Sequence, residues 1–302
     1  MPWSKRKDKK NKGKGENFMN TKKKKTDAKK IREEVKQAYA KAISEKSCGC
    51  CGNPEETCCS TKIKDIYDSA KEMGYSTDEL DSLPANSNIA TFGCGNPLAF
   101  SEVKEGDTVL DLGPGAGFDL LIAARKVGLS GQVIGVDMTD AMIAKAKENI
   151  KGAGVTNVEL RKGIIEELPV ESSSVDWVIS NCVINLSPEK EKVFSEIARV
   201  LKPGGRMMVS DIVGENIPQW LREDKNLYNS CISGVISEKE YISGLRKAGL
   251  EKVNVSSRKT FSLDELEAFV ESLAEINLGN KIVEKADIKI ESITISAYKP
   301  VL

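Results

Sequence analysis

Apolar and polar positions are spaced in three different ways along this chain. Residues 1–30 hold only Trp3 and Phe18 as aromatics and no apolar stripe at helical spacing, which predicts a disordered, solvated tail. From Ile31 onward, Ile31, Val35, Ala38, Tyr39 and Ala42 recur every three or four residues and predict an amphipathic helix. That helix should end in SCGCCGNPEETCCS (47–60), where Gly and Pro break regular structure. A short helix over 61–73 and a long irregular stretch, GYSTDELDSLPANSNIATFGCGNP (74–97), follow.

From Asp107 the spacing changes again. Apolar runs at 107–113, 132–138, 157–163, 174–181, 206–213, 251–257 and 287–300 read as strands. Helical spacing fills 117–127, 140–153, 188–201 and 237–248, with Thr139 or Asp140 as a cap for the second helix and Gly249 closing the fourth. A further helix, FSLDELEAFVESLAEI (261–276), presents Phe261, Leu263, Leu266, Phe269, Val270 and Leu273 as an ordinary packing face. Strands alternating with helices of this length predict a doubly wound α/β fold, a parallel sheet with helices on both faces. The expected division is a basic tail (1–30), a Cys-rich helical segment (31–84), a core (85–235) and a C-terminal α+β region (236–302) that completes the sheet and the substrate site.

Composition narrows the chemistry. The 302 residues include 45 basic and 45 acidic side chains, 8 cysteines and no histidine. His general bases, Ser-His triads and His-ligated metals are therefore excluded, leaving carboxylates, thiols, amines, hydroxyls or a cofactor. The zero net charge hides an asymmetry: residues 1–30 carry thirteen basic and three acidic residues, or +10, and the remaining 32 basic and 42 acidic residues carry −10. A tail of that charge can meet nucleic acid or anionic lipid, but without interleaved aromatics it reads as solvated, and no nucleic-acid partner is expected. No apolar run approaches the roughly 20 residues of a membrane span. The N-terminus lacks an apolar signal region, and Met19 is an alternative start. The expected compartment is a reducing cytoplasm, with cysteines as thiols rather than staples.

VLDLGPGAGFD (109–119) puts Gly113, Gly115 and Gly117 between the first strand and its helix, where close backbone approach to a ligand is possible. Phe118 stands where a dinucleotide fingerprint has its last Gly, which disfavours NAD. Asp137 ends the second strand, in place for ribose hydroxyls, and Asp111 precedes the loop, in place to orient an amine. With LRKGIIEELP (160–169) after the third strand and LKPGG (201–205) before the fifth, the set resembles the class I S-adenosylmethionine-dependent methyltransferases. The resemblance implies a Rossmann-like sheet, S-adenosyl-L-methionine as cofactor, and adenine contacts through Ile164, Ile165 and Glu166. Met138 and Asn181 join Asp111, the three glycines and Asp137 in the implied cofactor set.

Cys182 follows the fourth strand in SNCVINLSP. In a sheet of order 3-2-1-4-5, strands one and four flank the switch point where ligands bind, so Cys182 should face the glycine loop. A cysteine there is also commonly a small buried hydrophobe. Cys94 in FGCGNP and Cys231 in LYNSCISG flank the core. Together with VIGVDMTDAMIAKAKEN and SNCVINLSPEKEKVFSEIARVLKPGGRMMVSDIV, these segments closely resemble the arsenite methyltransferases from Ile31 onward, most densely over 74–235. The resemblance implies that Cys94, Cys182 and Cys231 hold trivalent arsenic, with a further thiol among Cys48, Cys50 and Cys51; Cys58 and Cys59 form an additional pair. It implies arsenite and methylarsenite as substrates; the cysteine-rich segment suggests that the N-terminal thiols, with Cys94, return electrons through a disulfide later reduced by thioredoxin or glutathione, and a monomer is expected. Pro114 where Ser is usual, Ile164 where an acid is common, and the basic extension depart from that pattern. Two other readings use the same core: a methyltransferase for an organic acceptor such as a quinone, with cysteines as packing, and a non-catalytic thiol sensor of metalloids. The N-terminal cluster has its own rival, a zinc site built from Cys48, Cys51, Cys58 and Cys59.

Overall fold

The structure, a computed structural model, describes residues 12–45, 67–81, 83, 93–223, 234–262, 265 and 288–301. Helix α1 spans Lys12–Glu45 and so begins inside the stretch expected to be a disordered tail. The correction has a simple cause. The stretch is rich in Lys, a good helix former, and it continues a helix already nucleated by the amphipathic turns after Ile31, so each added residue costs little. α1 lies against the residues that follow the fourth strand, and Val35 packs in one cluster with Cys182, Leu186 and Ile212. Arg32 donates from Nε to Glu166 Oε1 (3.0 Å) and also pairs with Glu189.

Residues 67–72 are helical, and α2 spans Thr77–Asp81. The core then alternates as its spacing predicts. Strands β1 (Thr108–Leu112), β2 (Gln132–Asp137), β3 (Val158–Lys162), β4 (Val175–Asn181) and β5 (Leu201–Glu215) are parallel neighbours in the order 3-2-1-4-5. They are joined by α3 (Phe118–Val127), α4 (Asp140–Gly152) and α5 (Lys190–Val200). Alternate residues of each strand serve opposite faces. Leu110, Leu112 and Val178 pack with Val193, Phe194 and Ile197 of α5, whereas Val109, Trp177 and Ile179 pack with the apolar side of α3.

After β5 come α6 (Gln219–Glu223), α7 (Glu238–Lys247), β6 (Glu251–Thr260) and β7 (Lys289–Tyr298). The parallel expectation holds for β1 to β5, and the C-terminal region completes the sheet with antiparallel strands. The full order is 3-2-1-4-5-7-6, and β7 runs antiparallel to both β5 and β6. Burial explains the exchange of places. β6 is polar and largely exposed, as suits an edge strand, whereas β7 is buried along nearly its whole length and needs a neighbour on each side. Arg258 to Thr260 also extend β6 beyond the run that predicted it. Of the helix expected over 261–276, only Phe261, Ser262 and residue 265 fall within the described residues.

Arg32 ties α1 to the core through charge, alongside Lys36 with Asp140 of α4, and its partner Glu166 is buried. Replacing Arg32 with Met keeps the stem but leaves that carboxylate short of a partner, at a cost of about 1–3 kcal/mol. Arg32→Met should lower the thermal midpoint and speed tryptic cleavage within 29–36; unchanged cleavage would mean that Val35 and its neighbours hold α1 unaided.

Candidate active site

The carboxyl ends of β1, β2 and β4 meet at one edge of the sheet. Beyond Leu112 the chain turns through Gly113 (φ 67°), Gly115 (φ 55°) and Gly117 (φ 93°), all left-handed. At Gly113 a Cβ would lie 2.6 Å from Val183, so only glycine lets the loop pass the residue after Cys182. At Gly115 nothing lies within 4 Å of a Cβ, and the backbone borders open space. This loop, the end of β2 with Met138 and Thr139, the turn Gly163–Glu166, and Asn181–Val183 line a cleft of about 950 Å³ that includes its open mouth. Arg32, Val35 and Tyr39 of α1 form its remaining wall.

Three carboxyl groups crowd this cleft. Asp111, Asp119 and Asp137 are 2%, 7% and 9% exposed. Asp111 Oδ2 is buried and has no hydrogen-bond partner among the described residues. Burial, then the charges of Asp119 and Asp137, hold the Asp111 carboxyl well above the usual carboxylate range. Burial pushes Asp119 up to about 6, although hydrogen bonds from Tyr75 and Asn181 oppose the shift. Burial also raises Asp137, against backbone N–H groups of Thr139 (2.8 Å to Oδ1) and Gly115 (3.3 Å to Oδ2). Such a cluster suits a ligand with positive charge and hydroxyl donors. S-adenosylmethionine carries an ammonium, a sulfonium and ribose hydroxyls, so the orphaned oxygen of Asp111, the open backbone at Gly115 and Asp137 fit it. Glu166, expected at the adenine, has Oε1 engaged by Ser187 Oγ (2.6 Å) and Arg32; Ile165 is buried beside it.

The thiols lie across the same edge. Cys182 follows β4 in a left-handed turn (φ 59°), with its N–H donating to Ser210 O at 2.8 Å. Cys94 comes from the loop before β1. Its N–H donates to Asn181 Oδ1 (2.9 Å), and its carbonyl accepts from Ser292 Oγ of β7 (2.7 Å). The structure joins Cys94 to Cys182 as a disulfide, with Cα atoms 5.9 Å apart across 88 residues. Two of the expected arsenic ligands are thus brought together, bonded to one another, where Gly93 and Gly95 let the Cys94 loop press onto Asn181 of β4 and Ser210 of β5. Cys231, Cys48, Cys50, Cys51, Cys58 and Cys59 lie outside the described residues, and with them the zinc reading.

Asn181 lines the cleft but is heavily committed. Its Nδ2 lies 2.7 Å from Gly95 O, 3.1 Å from Tyr75 Oη and 3.2 Å from Asp119 Oδ2. Sequence reasoning missed Tyr75, Asp119, Arg32 and Ser292. Asp119 had a signal, since it directly follows the glycine loop; Ser292 had none, being 198 residues from the carbonyl it binds.

A family model described as a methyltransferase domain matches residues 103–249. An arsenite methyltransferase of Halobacterium salinarum is 39% identical over 282 residues, covering 91% of this chain and 68% of that protein. One of Aquipseudomonas alcaligenes is 36% identical over 192 residues, and there the match spans 61% of this chain and 55% of the relative. The crystal structure of an arsenic (III) S-adenosylmethionine methyltransferase from Chlamydomonas reinhardtii is similar with a TM-score of 0.59 at 32% identity, covering 79% of this chain and 74% of that one. A doubly wound sheet, a cation-seeking cleft and paired cysteines at its edge agree with these likenesses, and the chain belongs to the S-adenosylmethionine-dependent arsenite methyltransferase family.

Proposed function

We propose that this chain transfers a methyl group to trivalent arsenic held by Cys182, Cys94 and Cys231, with electrons returned through Cys48, Cys50 or Cys51. The observation that carries the reading is the pairing of Cys94 with Cys182 at the end of β4, beside the cleft that holds the acid cluster. Arsenic(III) is soft and is well matched to thiolates. It keeps a lone pair when so bound, which makes it the nucleophile, and no proton need leave it. A chain without histidine is therefore no worse for the task.

When bound, S-adenosylmethionine supplies an electrophilic methyl group on a cationic sulfur. Asp111 orients its ammonium, Asp137 takes the ribose hydroxyls, the loop Gly113–Gly117 lies along it, and Met138, Ile165 and Glu166 border the adenine side. The thiols would hold arsenic facing the methyl group, so that the protein contributes positioning rather than proton transfer. Gaining a methyl cation raises arsenic formally from the trivalent to the pentavalent state. Two electrons from two thiols return it to the trivalent state, and those thiols leave as a disulfide. The Cys94–Cys182 disulfide is then an oxidised form that cannot hold arsenic through both sulfurs. A dithiol such as thioredoxin, or two glutathiones, would break that bond, giving two protein thiols and one oxidised reductant.

The reading carries further proposals: a cytoplasmic monomer, a cofactor-binding core over 85–235, and flanking segments 31–84 and 236–302 that close its ligand edge. No helix among the described residues is long and apolar enough to cross a membrane.

Incubation of the reduced protein with S-adenosylmethionine, arsenite and a dithiol should yield methylated arsenic, separated by chromatography and detected by element-specific mass spectrometry. Cys182→Ser should abolish the product; methylation that survives this change would move the reading to an organic acceptor. Joint replacement of Cys48, Cys50 and Cys51 by Ser should stop multiple turnover yet leave arsenite binding largely intact, and loss of neither function would remove those thiols from the cycle. A third outcome concerns pH. Asp119 is raised to about 6, so the empty protein takes up a proton on folding between the ordinary carboxylate range and that value. Its stability should fall as pH rises through this window. A cation prefers the ionised form, so cofactor affinity should strengthen as pH rises from about 5 to about 7, by up to about tenfold per unit below the midpoint. Titration calorimetry showing neither that trend nor proton release would place the bound charge away from Asp119.

A further inference from the structure

Between the cofactor cleft and the thiol site stands a small polar network that the chemistry above does not use. Tyr75 comes from the turn before α2 and is 3% exposed, with its ring edge-on to Phe118 at 4.9 Å between centroids. Its hydroxyl donates to Asp119 Oδ1 at 2.7 Å and lies 3.2 Å from Gly95 O. Asn181 Nδ2 approaches three acceptors, Tyr75 Oη, Gly95 O and Asp119 Oδ2, while Asn181 Oδ1 takes the N–H of Cys94. One hydroxyl and one carboxamide thus join a carboxylate in the cleft to the backbone on both sides of the Cys94 carbon. Steric fit allows no slack. A Cβ on Gly93 would clash with the Asn181 carboxamide, and one on Gly95 would lie 2.9 Å from Ser210 Oγ.

We propose that Tyr75 and Asn181 are positioning residues that fix the Cys94 thiol according to what occupies the cleft beside Asp119. The proposal rests on the reading of Cys94 as an arsenic ligand, and it reassigns Asn181 from cofactor contact to link. The physical ground is donor arithmetic. The Tyr75 hydroxyl has one proton and faces two acceptors, and the Asn181 amide has two protons and faces three. When a cation shares Asp119, that carboxylate needs fewer protein donors, and the freed donors tighten on Gly95 O. The loop bearing Cys94 is then held more firmly. By linkage, a cleft that firms the thiol loop is itself filled more tightly when the thiol is engaged.

The test uses the full chain, reduced with a phosphine, and reads iodoacetamide labelling of Cys94 by peptide mass spectrometry with and without S-adenosylmethionine. In wild type, saturating cofactor should change the labelling rate severalfold. Tyr75→Phe keeps the ring on Phe118 and deletes only the hydroxyl; it should abolish that dependence and raise the arsenite KM about tenfold, the scale of one hydrogen bond to a charged group. Ser292→Ala is the companion variant. It loosens the Cys94 carbonyl without touching Asp119, so it should raise the arsenite KM while keeping the cofactor dependence. A cofactor dependence that persists in Tyr75→Phe, or is lost equally in Ser292→Ala, overturns the proposal. Labelling needs no methyl transfer, so a protein that never methylates arsenic yet shows the Tyr75-dependent change defeats the functional reading and leaves the link standing.

Discussion

Three carboxyl groups, Asp111, Asp119 and Asp137, are held where water barely reaches, and much of the molecule is arranged around that cost. Burying one ionised carboxylate without partners is expensive, and burying three together is more so. The protein meets this with donors for two of them and leaves Asp111 Oδ2 without a partner among the described residues. The glycine loop is needed because side chains there would fill the space a ligand must enter. The wall formed by α1 screens one side of the space from solvent, and the lower dielectric there strengthens the attraction between the acids and an entering cation. An unmet electrostatic need is thus the source of affinity.

Much of this was legible in the sequence because it is local. Strand periodicity fixed β1 to β5 within a residue or two at most ends, and the glycine loop and Asp137 follow from their positions at strand ends. What escaped were long-range pairings. Arg32 meets Glu166 across 134 residues, Asn181 meets Tyr75 across 106, and Ser292 meets Cys94 across 198. No spacing rule encodes a partner at such separations. The antiparallel insertion of β7 escaped for a related reason: its alternation looks like that of any strand, and only competition with the polar β6 for a central position decides where it goes.

The cysteines show both sides. The neighbourhood of Cys182 was readable, since it had to follow β4, whereas the close approach of Gly93 and Gly95 to Asn181 and Ser210 was not. Their bonding state was not, because it depends on how the Asn181 carboxamide and the hydroxyls of β7 bring one backbone against another.

The place of β7 has a consequence for how the protein is made. It is the last of the seven strands in chain order but lies between β5 and β6, and it carries Ser292, the donor to the Cys94 carbonyl. While a ribosome is still translating the preceding residues, Cys94 and Cys182 already exist, yet the strand that steadies them does not. Until then the Cys94 loop lacks its partner on that side, so the geometry that sets the two cysteines together is completed late in synthesis, with the strand that joins β5 to β6.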